Sequence, residues 1–104
     1  MLAHLKQRAT LLSRTLTPDG GGGFSESWQA VGHAWVRITP LGIAEKFGPD
    51  ARQTRIRHRI VLRVRDDLVA GMRLTAEGRT FDIRAVLDRD ATGAFVTLMC
   101  EELP

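Results

Sequence analysis

Hydrophobic and polar residues alternate with a period of two along most of this chain, which is the spacing of half-buried strands, since successive strand side chains point to opposite faces. The alternation is cleanest over 54–65, TRIRHRIVLRVR: Arg55, Arg57, Arg59, Arg63 and Arg65 fall on one side, and Ile56, His58, Ile60, Leu62 and Val64 on the other. The pattern predicts a strand whose apolar side covers a core and whose opposite side is a row of guanidinium groups, repeating every ~6.8 Å at ~3.4 Å per residue. Such a row stays in water or takes acidic or polyanionic partners, because burying an isolated charge is too costly.

The same period marks the neighbouring segments. Over 8–15, Ala9 and Leu11 oppose Arg8, Thr10, Leu12 and Arg14, which reads as a first strand. A helix over 2–14 is the alternative, because Leu2, Leu5, Ala9 and Leu12 also fit a helical stripe. Ser25 to Thr39 reads as a second long strand with Trp28 and Trp35 on opposite faces. One indole then packs inward while the other is presented outward as an anchor for another subunit, unless a bulge at Gly32 reverses the register between them. Met72 to Ala76 and Arg79 to Asp88 form a hairpin around Glu77-Gly78, the second strand turning Phe81, Ile83, Ala85 and Leu87 to the core. Ala94 to Glu101 closes the pattern with Ala94, Val96, Leu98 and Cys100 on one face. Short, turn-separated strands without a convincing helix predict an all-β fold, a small antiparallel β-barrel or sandwich with one long loop.

Two stretches break the alternation. Pro18, Asp19 and the four glycines 20–23 make a turn; no Lys-Ser/Thr follows them, so they lack the pattern of a phosphate cradle. Residues 40–53 are the longest irregular piece, with at most one helical turn around Ile43 to Phe47. Loops of that length are frequently binding elements, and Ile43 and Phe47 either stay exposed there or tuck into the base of the loop.

Composition narrows the picture. A chain of 104 residues with 43% hydrophobic content is expected to form one domain over 1–104 around one core. Fifteen basic against 12 acidic residues, a net charge of +3, permit nucleic-acid contact without demanding it. The single cysteine, Cys100, reads as a small core residue in a reducing compartment. No Cys/His spacing suits a metal, and no cofactor motif is present. Neither a signal-like segment nor an apolar run of about 18 residues occurs, so neither export by a signal peptide nor a membrane span is expected. His4, His33 and His58 are the only histidines; His58 lies on the apolar face of its strand, where a hydrogen-bonded core or rim histidine is expected. The serines lack a nucleophile-elbow context. No catalytic arrangement results, which leaves binding or assembly.

From Arg8 onward the chain resembles the phage head-tail joining family, also called head-closure or stopper proteins. The resemblance is carried by the basic first strand ending at Asp19, Gly20 and Gly21, by Trp28 leading to Trp35, Val36, Arg37, Ile38, Thr39 and Pro40, by Ala44 and Glu45, and by the Arg59 strand. Its most specific part is Gly71, Met72, Arg73, Leu74 followed by Gly78, Arg79, Thr80, Phe81, Asp82, Ile83. An extra pair of glycines after Gly21, and Asp66 and Asp67 where aromatic and basic residues are usual, depart from the pattern. The resemblance implies a small β-barrel without enzymatic activity, metal or cofactor, joining a ring of its own copies (a hexamer or a dodecamer) in the neck of a phage or gene transfer agent particle assembled in the bacterial cytoplasm. Its implied partners are the portal and adaptor on the head side, the tail terminator or tail tube on the tail side, and transient channel DNA, with no membrane.

The resemblance also makes residues 41–53 a channel loop, including Leu41, Gly42, Ile43, Ala44, Glu45, Lys46, Phe47 and Gly48. Arg55, Arg57, Arg59, Arg63, Arg65 and Trp35 then lie at a subunit seam or face DNA. The competing reading is a nucleic-acid-binding barrel of the OB or SH3-like kind, whose arginine strand tracks phosphates; the absence of aromatics within that strand weighs against a stacking platform.

Overall fold

The computed structural model describes residues 5–45, 54–89 and 93–103, and strands are the only regular elements among them. They are β1 (Gln7–Pro18), β2 (Phe24–Glu45), β3 (Thr54–Arg63), β4 (Arg73–Ala76), β5 (Arg79–Arg89) and β6 (Phe95–Glu102). Every neighbouring pair is antiparallel, in the order β1-β2-β3-β6-β5-β4, and β4 returns to β1 to close a barrel. Period two prevails over the helical stripe at the N-terminal end: Ala9 and Leu11 are buried, which only an extended β1 between β2 and β4 achieves.

The inward positions make one core. Phe81, Leu11, Ile60, Leu62, Leu74, Ile83, Leu98, Val36 and Cys100 are fully buried, and Ala9 faces Ala76 where the sheet closes. Small side chains suit that seam, where inward residues of two strands crowd a tight closure. Leu87 departs from its expected core position, since register shifts between Ile83 and Ala85 and between Val86 and Arg89 reset the alternation of β5. Leu87 is left exposed.

Strand β2 spans 22 residues, against 12 for β1 and 10 for β3. Only its middle belongs to the closed sheet. Beyond Leu12, the last β1 residue paired with β4, Ser13–Pro18 pair with Phe24–Gln29 alone. At the other end, β2 continues from Gly42 to Glu45 against Thr54–Arg57, where the β3–β6 pairing has reached its last pair, Arg57 with Glu101. Ile56, expected on the core face of β3, falls in this outlying part and is exposed. Two hairpin arms therefore leave the barrel in opposite directions along one strand. The radius of gyration, 15.3 Å, exceeds the ~13 Å of a compact chain of similar length.

This architecture corrects the reading of 40–53 as irregular up to its end. Pro40 through Glu45 are strand, paired from Pro40↔His58 to Glu45↔Thr54, with Leu41 inserted at a register shift between Pro40 and Gly42. The interruption accommodates a proline that has no N–H to give the ladder. Ile43, Ala44 and Glu45 are extended, so no helical turn begins at Ile43; Lys46, Phe47 and Gly48 lie outside the described residues.

The first arm ends in a turn built by Asp19. Its Oδ1 accepts hydrogen bonds from the amides of Gly21 and Gly23 at 2.8 and 3.1 Å, while Gly20 and Gly22 take φ of +83° and +87°, values that side chains disfavour. The glycine run is thus a conformational requirement of one tight turn.

A register shift near Gly32 also occurs. Leu11 pairs with Gly32 and Leu12 with Ala30, leaving Val31 as the extra residue. The bulge reverses the alternation of β2, so Trp28, opposite Arg14, and Trp35, opposite Arg8, share the outer side. Truncating Phe81 to alanine removes the largest fully buried side chain among the described residues and is expected to cost roughly 3–5 kcal/mol of unfolding free energy, measured by denaturant titration. A loss below about 1 kcal/mol would contradict this packing.

Candidate functional site

The outer surface of β2 and β3 collects the chain's unneutralised charge. Inward-facing His58, Ile60 and Leu62 are buried, while Arg57, Arg59 and Arg63 are exposed on the opposite side. Cross-strand pairing adds Arg37 (opposite Val61) and Arg8 (opposite Trp35) to the same wall. Trp35, 54% exposed, stands among them. Arg63 lies over the ring of Phe95 at 5.6 Å. Aromatic side chains thus flank the arginine strand from the adjoining strands. That juxtaposition was invisible in the strand's own sequence, and it removes the objection that no aromatic accompanies the cations.

Most carboxylates that could neutralise this wall are engaged elsewhere. Asp82 pairs with Arg73 at 2.9 Å and with Arg84 at 3.9 Å, Glu101 with Arg84, Glu26 with Arg14, and Glu102 with Arg79. Among the described residues, Arg8, Arg37, Arg57 and Arg59 have no acidic partner.

Arg65 leaves the row. β3 ends at Arg63, and the Arg65 guanidinium turns across β2, donating to the His33 carbonyl at 3.0 Å and to both carboxylate oxygens of Asp67 at 2.9 and 2.8 Å. This bidentate pair raises the pKa of Arg65 and lowers that of Asp67, through the hydrogen bonds first. Gly32 leaves room for it, since a Cβ there would sit 2.6 Å from Arg65 Nη2. Asp67 holds this side chain while also taking a local backbone hydrogen bond. Arg55 belongs to the arm part of β3, paired with Ala44.

A second cluster lies on the same side of the barrel as Trp28. Arg73 stacks on the Trp28 indole at 4.1 Å while pairing with Asp82, next to a shallow cavity of about 410 Å³ lined by Arg14, Glu26, Trp28, Arg73, Asp82 and Arg84, among others. Its three arginines pair with Glu26, Asp82 and the neighbouring Glu101, so it presents little net charge.

Beneath the wall, His58 is 1% exposed. Its Nε2 accepts from Arg79 Nη2 at 3.1 Å and lies 3.6 Å from Glu102 Oε1, and its ring meets Phe81 edge-on at 5.0 Å. Arg79 binds Glu102 through two hydrogen bonds, 2.6 and 3.1 Å. These bonds hold the Glu102 carboxyl below the usual glutamate range and raise Arg79. Arginine only donates, and the buried Nδ1 has no hydrogen-bond partner among the described residues. The arrangement braces a seam between strands and offers no substrate an approach. Cys100, paired opposite His58, is pushed by burial up to about 12 and is no nucleophile at neutral pH. Among the described residues, no three His, Cys, Asp or Glu side chains gather as metal ligands.

Comparison with known proteins bears on what such a surface serves. A family model described as phage head completion protein matches residues 2–103. A chain in the virion of a native gene transfer agent particle is similar in fold, with a TM-score of 0.79 and 25% identity over 98% of this chain and 98% of that one. The solution structure of protein SF1141 from Shigella flexneri 2a is similar as well, with a TM-score of 0.70 and 23% identity over 94% of this chain and 92% of that one. No curated protein matches the sequence.

The Glu102 pairing has a measurable consequence. A carboxylate whose pKa is lowered by folding stabilises the fold above its ordinary value of 4.5, and that contribution drains away as the pH falls through the lowered value. Glu102→Gln is expected to reduce stability at pH 7 and to flatten the acid limb of the stability-against-pH curve, read by thermal unfolding from pH 7 to 3. An unchanged acid limb in the variant would contradict the assignment.

Proposed function

Since the chain belongs to the phage head completion protein family, we propose that it is a single-domain structural subunit of a ring at the head-tail junction of a phage or gene transfer agent particle, where it helps to close the DNA channel. The observation that carries this reading is the family match over almost the whole chain, together with the similarity to a chain of a gene transfer agent virion over 98% of the length. The architecture supports it in physical terms. A closed sheet has no free edge along which to aggregate, and two arms at opposite ends of one strand let a small barrel touch neighbours above and below as well as beside it.

In this role the portal and adaptor lie on the head side and the tail terminator or tail tube on the tail side. The second arm is the channel element: Leu41 to Glu45 rise on β2, and Lys46, Phe47 and Gly48 follow them in the chain. The arginine wall of Arg57, Arg59 and Arg63, with Trp35 beside it, is the seam between copies, and some of its cations face DNA during passage. Avidity explains how modest contacts suffice, because a closed ring multiplies each of them through effective concentration. The chain performs no reaction in this role.

Removing the protein from particle-producing cells is expected to yield filled heads that lose DNA to nuclease and tails that remain unattached, with activity restored when the protein is added back. Normal particles in its absence would overturn the reading. Charge reversal at Arg57 and Arg59 is expected to leave the thermal transition within a few degrees, as for exposed surface positions, yet to abolish incorporation; normal incorporation of that variant would make the wall an ordinary solvated face. A nucleic-acid-binding barrel acting outside a particle would show DNA affinity falling by orders of magnitude between about 50 and 200 mM salt, without any neck defect.

A further inference from the structure

The first arm carries an apolar tip with nothing against it. Phe24, 66% exposed, and Leu16, 49% exposed, are diagonal neighbours, since Leu16 faces Glu26 and Pro18 faces Phe24. Between them the turn holds Asp19, a carboxylate with no cation beside it among the described residues. From the last β1–β4 pair at Leu12 the arm extends about 20 Å, at ~3.3 Å per residue. A two-stranded ribbon of that kind is marginal in water by itself, so exposed aromatic and aliphatic groups at its end call for a seat.

The barrel offers one of opposite character. Trp35 is exposed beside Arg8 and Arg37, and an adjoining groove of about 410 Å³ is lined by Lys6, Gln7, Val36, Arg37 and Ile38. Lys6 and Arg37 make its rim cationic, and Arg8 and Arg37 lack acidic partners among the described residues. A phenylalanine flanked by a carboxylate complements this site in chemistry and charge, and tryptophan with arginine is the composition of interface centres. Tip and seat cannot meet within one chain. Phe24 and Arg37 are 13 positions apart on the same strand, roughly 40 Å at ~3.3 Å per residue.

We infer that the tip of the β1–β2 arm, through Phe24, Leu16 and Asp19, docks onto the exposed surface of Trp35, Arg8 and Arg37 on the next copy of this chain. The contact joins two different patches, so it is heterologous and propagates head to tail until rotation closes a ring. This inference rests on the ring reading above and assigns which surfaces form its seam. It also sets Asp19 against Arg8 and Arg37 within the assembly and separates the roles of the arms: the β1–β2 arm links copies, and the β2–β3 arm remains for the channel.

The test uses assembled particles carrying the double variant Phe24→Cys/Arg37→Cys, with Cys100 retained because its buried thiol stays protonated. Both substitutions are at exposed positions, and thermal unfolding verifies that each single variant folds. Mild oxidation is expected to yield disulfide-linked ladders of this chain up to ring size, whereas either single variant gives no ladder. Incorporation of the double variant without ladders, or linkage of the thiol introduced at position 24 to a different particle protein, overturns the inference and leaves the ring reading standing. Failure of even the wild-type chain to enter particles overturns both. In parallel, Phe24→Ser is expected to lower incorporated copies at least about tenfold, the equivalent of ~1.4 kcal/mol per contact, with an unchanged melting temperature; undiminished incorporation counts against the docking.

Discussion

The four-residue pairing of Ala9–Leu12 with Arg73–Ala76 is the interaction on which this molecule depends. It turns a six-stranded sheet into a closed one, removing both free edges and enclosing the side chains of Leu11, Leu74 and Phe81. It is also short. Because β4 offers only four residues, the remainder of β1 has no partner except β2, and the ribbon they form must leave the barrel. Closure and projection are consequences of the same mismatch in strand length, and the arm exists because the seam ends at Leu12.

Much of this was legible in the sequence. The period-two patterns of Ala9 and Leu11, of Ile60 and Leu62, and of Val96, Leu98 and Cys100 name the core correctly, because alternation is the direct signature of a wall with one dry face. What alternation cannot reveal is where it is reset. The extra residue at Val31 brings Trp28 and Trp35 to one side, and the shifts in β5 expose Leu87, since a one-residue insertion exchanges every later side chain between faces. The strand character of Pro40 to Glu45 was hidden for a related reason. Proline and glycine punctuate that segment, and only the ladder offered by Thr54–Arg57 makes it extended.

The candidate site was half visible. The arginine row could be read directly, yet its membership depends on tertiary neighbours: Arg65 is withdrawn by Asp67 and the His33 carbonyl, whereas Arg8 and Arg37 join from other strands. Acidic side chains are one possible partner of such a row, and Asp67 takes that part for Arg65. Glu26, Asp82, Glu102 and Glu101 pair with Arg14, Arg73, Arg79 and Arg84. Sorting charge in this way leaves one wall of the described residues basic, an asymmetry that favours one orientation of a partner over others.

Imaging of the particle neck is the decisive measurement for the ring. A closed ring of copies of this chain is expected on the channel axis between head and tail, with the β2–β3 arms directed toward the lumen. Density for the chain elsewhere in the particle, or as isolated copies without ring contacts at the neck, would contradict that role.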